Sequence, residues 1–95
     1  MSTKLLPVAR FRLGSIVTTP NALSQLNQDD ILGAIGRHQA GDWGDLCPHD
    51  LAANENALTN GARILSVYRT ATGVKFWIIT EADRTVTTIL MPEDY

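Results

Sequence analysis

The stretch RILSVYRTATGVKFWIITEADRTVTTILM, residues 63–91, decides the fold of this chain. It contains three short runs rich in β-branched and aromatic residues, and the joins ATG and EADR are short enough for hairpins. The first run alternates between two faces, with Leu65 and Val67 on one of them, whereas GVKFWIIT is apolar on both faces, as in a central strand. We therefore predict a three-stranded antiparallel meander.

The segment before the meander has the pattern of helices. Thr19, followed by proline, can cap a first helix, and Asn27 can cap a second one over NQDDILGAIGRH, which Gly41 would end. Pro48 can begin a third helix that runs to about Thr59 and stops at the following Asn-Gly pair. Helices first and strands last predict an α+β protein.

The expected architecture is two or three N-terminal helices packed on a three- to four-stranded antiparallel β-sheet, the C-terminal meander. If the segment FRLGSIVTT, residues 11–19, pairs with this sheet, it does so as an edge strand. A chain of 95 residues predicts a single small domain over residues 1–95.

Composition limits the function classes. The net charge is −2 and only eight residues are Lys or Arg, which disfavours strong nonspecific nucleic-acid binding without excluding a local cluster of arginines. A single cysteine, an N-terminal apolar run (LLPVA) too short for a signal peptide and strand-sized later runs predict a cytoplasmic protein outside the membrane. We expect no cofactor.

The stretch GRHQAGDWGDLCPHD, residues 36–50, contains both histidines and the only cysteine of the chain. Its residues of metal-ligand type are His38, Asp42, Asp45, Cys47, His49 and Asp50. The spacing of these residues matches no established metal motif, so we predict no metal site. Cys47 and His49 also suggest a nucleophile pair, but a lone cysteine is more often a small buried apolar residue, and we predict that role for Cys47.

One hypothesis for the activity is a small metal-independent ribonuclease-like toxin with the general layout of the barnase and RelE-like nucleases. Such a site needs a general base, a general acid and cations near the scissile phosphate. His38 ends the second predicted helix, and the strands that follow carry Arg63, Arg69 and Thr88, which would complete the catalytic set. The hypothesis requires His38 and at least one arginine to share a cleft.

The leading hypothesis is a non-enzymatic protein that acts by binding a macromolecular partner, most simply a protein. Nucleic acid and self-association remain open. Polar and aromatic residues concentrate on predicted loops, where binding residues often lie. The predicted binding surface joins the loop after the second helix to the EADR turn, and its residues are His38, Asp42, Trp43, Glu81, Asp83 and Arg84.

The motifs RHQAGDWGDL and WIITEADRTVTTILMPEDY, at residues 37–46 and 77–95, resemble those of a family of short bacterial proteins. These proteins occur on plasmids and integrated elements, and some are labelled plasmid-related or type I restriction–modification associated. The resemblance covers Phe11 to Tyr95 and implies a mobile-element context. It therefore implies roles in defence, anti-defence (anti-restriction or anti-CRISPR) or plasmid maintenance, including toxin–antitoxin systems, without selecting one.

Overall fold

The computed structural model describes residues 9–95, so most of the N-terminal apolar run lies outside the described residues. The elements are β1 (Ser15–Thr18), α1 (Pro20–Gln25), α2 (Gln28–Gln39), α3 (Pro48–Asn60), β2 (Ile64–Arg69), β3 (Lys75–Thr80), β4 (Val86–Leu90) and a 3-10 turn (Pro92–Asp94). No helix within residues 9–95 is long and apolar enough to cross a membrane.

The four strands form one sheet in the order β1-β4-β3-β2. The predicted meander is confirmed: β2 pairs with β3 and β3 with β4, both antiparallel. The three helices pack on this sheet, so the α+β class is confirmed as well. The segment before α1 does pair, and it forms an edge strand as predicted.

Strand β1 runs parallel to β4, which makes the sheet mixed rather than wholly antiparallel. No hairpin links these two strands, because all three helices and the rest of the meander lie between them, so no turn dictates an antiparallel direction. Gly14 precedes β1 with φ +65°, and a Cβ there would lie 2.2 Å from the carbonyl oxygen of Thr85. This close approach of the chain to the β3–β4 turn therefore requires glycine.

The helix ends follow the sequence signals. The Thr19 hydroxyl accepts from the amide of Ala22 at 3.1 Å, and the Asn27 side chain accepts from the amide of Asp30 at 2.8 Å. These bonds satisfy amides that have no partner inside the helix. The third helix is regular, and Gly61 ends it with φ +76°.

Side chains of alternate residues point to opposite faces of the sheet. The face that the helices cover, called the helix face below, carries most of the core. Its central side chains are Ile64, Ser66, Tyr68, Phe76, Ile78, Thr80, Thr87 and Ile89. The helix residues Ala22, Leu26 and Ala34 pack against this face in one cluster, and Ala57 packs against Ile64 in a second.

The opposite face is called the open face. Its side chains come from the alternate positions Val17, Leu65, Val67, Arg69, Lys75, Trp77, Ile79, Val86, Thr88 and Leu90. Among residues 9–95, the clusters that join helices to the sheet use the helix face. Within these residues, the open face is therefore left without a helical layer.

Two glycines give a matched test of this packing. Gly44 has φ +77°, and a Cβ there would lie 2.0 Å from the Val67 carbonyl oxygen, whereas a Cβ at Gly33 of α2 meets nothing within 4 Å. We expect Gly44→Ala to lower the free energy of unfolding by about 2 kcal/mol or more. Gly33→Ala should raise it by roughly 1 kcal/mol through helix propensity. Urea unfolding followed by circular dichroism measures both, and changes of the same sign would contradict this packing.

Candidate functional site

His38 lies in the last turn of α2 and points into the helix face. Its side chain is fully buried. Nδ1 lies 2.6 Å from the Ser66 hydroxyl of β2, and Nε2 lies 2.9 Å from the Thr80 hydroxyl of β3. Both ring nitrogens therefore have partners inside the protein.

Which atom donates in each of these hydrogen bonds follows from the carbonyl group at which the chain of bonds ends. The Thr87 hydroxyl donates to the carbonyl oxygen of Leu13 at 2.7 Å, and a carbonyl only accepts. Thr87 must then accept from Thr80, at 2.7 Å, and Thr80 must accept from His38 Nε2. His38 is thus the neutral tautomer with its proton on Nε2, and Nδ1 accepts from Ser66.

Burial lowers the pKa of His38 to about 4. A buried cation loses the hydration that stabilises it in water, which favours the neutral ring. His38 therefore stays neutral at physiological pH. A ring that is buried and bonded on both sides cannot reach a substrate proton, so His38 does not supply the general base that the nuclease hypothesis assigned to it.

The other residues of the predicted catalytic set stand away from His38: Arg63 and Thr88 lie on the far side of the sheet, and the Arg69 side chain reaches round the β2 edge to Asp45. Arg69 and Thr88 occupy open-face positions, since their neighbours Tyr68 and Thr87 belong to the helix face. Arg63 stacks over Tyr95, whose ring packs on Trp77 of the open face. His38 and these residues share no cleft, so the predicted nuclease site is not assembled.

Trp43 is buried as well, with 3% of its surface exposed. Its ring contacts those of Phe11 and His38, and its Nε1 donates to Glu55 of α3 at 2.8 Å. Arg10 holds the same carboxylate through two bonds of 3.0 and 3.1 Å. The prediction that His38 and Trp43 form an exposed surface is therefore wrong, because the aromatic cluster draws both side chains into the core.

The loop that contains Trp43 is bonded to the outer edge of β2. The amide of Val67 donates to the Trp43 carbonyl at 3.1 Å, and the amide of Asp45 donates to the Val67 carbonyl at 2.7 Å. Asp42 is exposed, but Arg37 binds its carboxylate at 2.7 and 3.2 Å, which lowers the pKa of Asp42. The aromatic and acidic residues that are concentrated in this stretch thus serve to dock the loop on the edge of β2.

Cys47 and His49 lie at the start of α3 and are exposed. The prediction of a buried Cys47 is wrong, because this residue caps the helix through its backbone position and its side chain makes no capping bond. In the part of the chain that the structure describes, no three His, Cys, Asp or Glu side chains converge as metal ligands would.

Arg84 joins the β3–β4 turn to the end of α3. Its guanidinium donates to the carbonyls of Ala57 at 2.9 Å and Ala62 at 2.7 Å, and to two carbonyls of its own turn. Its backbone has φ +61°, which is unusual for a residue other than glycine. Glu81 and Asp83 are exposed beside it, and Asp83 accepts from the amide and hydroxyl of Thr85. Arg84 therefore holds the fold together rather than presenting its charge to a partner.

The open face carries a partly accessible apolar surface: Val67, Ile79 and Leu90 are buried, but other apolar side chains of this face are not. Trp77 lies on the central strand β3 and is half-buried, and so are Leu65 and Thr88, the register partners of the next open-face position Ile79, and Val86 beyond them. Val17, on the edge strand, is 45% exposed, and Tyr95 packs on Trp77 with ring centroids 5.5 Å apart. Apolar side chains left accessible together on one face are typical of a binding surface.

Cations lie around this apolar surface. Arg69 and Lys75 are register partners at one end of β2 and β3, and Arg63 lies 5.5 Å from the centre of the Tyr95 ring. Asp45 neutralises Arg69 at 3.1 Å. The sequence contained the signal for this site: GVKFWIIT is apolar on both faces, and three helices covering one face leave Trp77 on the other.

Comparisons of the chain with protein-family models, with curated proteins and with solved structures give no match. The family resemblance drawn from the sequence motifs stays a prediction.

The buried imidazole gives a pH dependence with a definite sign. Between pH 6.5 and about 4 the unfolded chain binds a proton at His38 and the folded protein does not. The free energy of unfolding should therefore decrease as the pH falls through this window, by about 3 kcal/mol in total from this group, and level off below it.

Denaturation at pH 7, 6 and 5 measures this effect before most carboxylates titrate. In His38→Gln the contribution of this group should disappear, whereas His49→Gln, which removes an exposed imidazole, is the matched control. Equal pH slopes for His38→Gln and the parent protein would contradict the assignment.

The role of Arg84 is tested by comparison with Arg69. Arg84→Ala should lower the free energy of unfolding by about 2 kcal/mol, because four carbonyl oxygens lose a charged donor. Arg84→Gly should cost less than Arg84→Ala, since glycine adopts a positive φ freely. Arg69→Ala removes only an exposed ion pair and should cost less than about 1 kcal/mol. Chemical denaturation ranks the three variants, and equal losses for Arg84→Ala and Arg69→Ala would rule out the structural role.

Proposed function

We propose that this protein is a binding module that acts by docking a protein partner on the open face of its sheet. The observation that carries the proposal is the half-buried Trp77 at the centre of a sheet face without a helical layer in residues 9–95. An indole in this position gives a large contact area at low entropic cost, and such aromatic residues dominate the energy of protein interfaces.

The chemistry of the open face favours a protein over a nucleic acid. Leu65 and Val17 lie in the row of Ile79, the open-face position next to Trp77 on β3, and Val86 lies one position further, so the apolar surface extends from Trp77 across the four strands. Nucleic-acid binding draws most of its affinity from unneutralised cations, but Asp45 already pairs with Arg69 and the chain as a whole carries a net charge of −2.

The partner that fits this surface has an apolar patch edged by carboxylates. Arg63 and Lys75 lie at the margin of the open face and are exposed, so they can meet acidic side chains at the rim. Rim charges of this kind mainly select the partner and its orientation, while the apolar centre supplies the affinity. The sequence resemblance to mobile-element proteins supports a partner from a defence, anti-defence or plasmid-maintenance system.

A matched pair of Thr→Glu substitutions tests the proposal. Thr88 lies on the open face, whereas Thr59 is exposed on α3. We expect the tagged parent protein and Thr59→Glu to capture the same protein from an extract of the source cells. Thr88→Glu should capture at least about tenfold less of this partner, because it places a carboxylate against the apolar patch and acidic rim proposed for the partner.

The control for folding is the thermal unfolding profile of each variant, and the control for nucleic acid is treatment of the extract with nuclease. Capture that is unchanged by Thr88→Glu would exclude the open face as the docking surface. Capture of nucleic acid alone, or capture abolished by nuclease, would exclude a protein partner.

A further inference from the structure

The two edges of the sheet differ in whether other segments of the chain bond their outward-facing backbone groups. The edge of β2 is covered: the Asn54 side chain bonds the amide and the carbonyl of Leu65, and the Trp43 loop bonds both groups of Val67. These contacts satisfy the outward-facing backbone groups along most of the strand. An edge covered in this way cannot accept another strand.

The edge of β1 has no such cover among residues 9–95. The amides of Ser15 and Thr19 donate to Thr85 and Ile89, at the β4 side. Because the direction of these groups alternates along a strand, those of Ile16 and Thr18 point away from the sheet. Ile16 is 47% exposed and Val17 45%, so this edge is apolar and pairs with no other strand within residues 9–95.

We propose that β1 pairs with β1 of a second copy of this chain, in antiparallel orientation, to form one continuous eight-stranded sheet. In the register that uses the outward-pointing amides and carbonyls of β1, Ile16 of each copy faces Thr18 of the other, and four backbone hydrogen bonds form. Val17 then faces Val17 of the second copy on the two-fold axis. This pairing also buries the exposed β-branched side chains, which suit cross-strand contacts.

Charge complementarity supports a second copy in this orientation. Arg12 is exposed three residues before β1 begins, whereas Glu93 and Asp94 lie at the other end of the strand, where they accept hydrogen bonds from Asn21 and Thr19. An antiparallel pair brings the basic end of each strand to the acidic end of the other. A parallel pair would instead place like charges together, which is unfavourable.

The size of the contact sets the expected strength. Pairing through a four-residue strand buries less than the roughly 1,000 Å² of a stable interface, so the dimer should form reversibly and depend on concentration. The proposal does not rest on the open-face function: the two surfaces share Val17, but edge pairing leaves Trp77 uncovered in both copies.

Sedimentation velocity over about two decades of concentration, up to the roughly millimolar range, gives the first test. We expect the mean mass to rise toward that of a dimer. Ile16→Lys places a charge on the edge and should weaken association at least about tenfold. Leu32→Lys, which changes an apolar residue of α2 that is also exposed, is the matched control and should leave association unchanged.

Cross-linking in a Cys47→Ser background tests the register. Val17→Cys should form a disulfide-linked dimer under mild oxidation, because facing Cα atoms at this kind of position lie about 4.5 Å apart. Ser15→Cys is exposed on the same strand, but the two copies of Ser15 would lie roughly 14 Å apart and should not cross-link.

A charge exchange distinguishes a second copy from an unrelated strand. Arg12→Glu and Glu93→Arg should each weaken the dimer, and the double variant should restore it. A monomer at all concentrations would overturn the proposal. So would association that Ile16→Lys leaves intact, or equal cross-linking of Val17→Cys and Ser15→Cys.

Discussion

The hydrogen-bond chain that runs from Ser66 through His38, Thr80 and Thr87 to the carbonyl of Leu13 is the constraint on which the rest of the structure depends. It links α2, three strands and the segment before β1. Polar groups in a core are costly unless each one is paired, and in a chain of hydrogen bonds the loss of one member leaves its neighbours unpaired. Within residues 9–95, no buried side-chain nitrogen or oxygen lacks a partner. The chain therefore fixes where α2 lies on the sheet more strictly than apolar contacts alone would.

This constraint determines what the reactive residues of the chain can do. The histidine that looks catalytic in the sequence is held neutral and bonded on both sides, and Trp43 packs against it from the docked loop. Arg84 is occupied by the carbonyls at the end of α3. Side chains of the types used for catalysis and binding are thus committed to holding together a small domain with a limited core. Partly accessible apolar side chains remain on the opposite side of the sheet, among them Trp77, Leu65 and Val86.

Sequence reasoning succeeded where the deciding interactions are local. The caps at Thr19 and Asn27 and the stop at Gly61 depend on residues within three or four positions, so composition and spacing predict them. The meander was equally predictable from the sequence because two short turns join its strands.

The misassigned residues depend on contacts across the fold. The burial of His38 follows from partners 28 and 42 residues away, and the parallel pairing of β1 follows from a partner strand about 70 residues further along the chain. No local pattern encodes such a register. The open face was predictable only in part. The strand pattern indicates that β3 is apolar on both faces, but which face stays uncovered depends on the three helices packing on the same side of the sheet.

The number of helices in residues 9–95 explains why these residues leave one face and one edge of the sheet without cover. A single helical layer covers one face of a four-stranded sheet, and the loop and α3 that complete this layer also reach the β2 edge but not the β1 edge. Pairing of two β1 strands would set both open faces side by side on the same surface of one sheet. A partner with two docking patches would then bind the dimer more tightly than either copy alone, because the second contact forms within a complex already made. Weak edge pairing and a modest docking face can in this way combine into a strong interaction without any further contact.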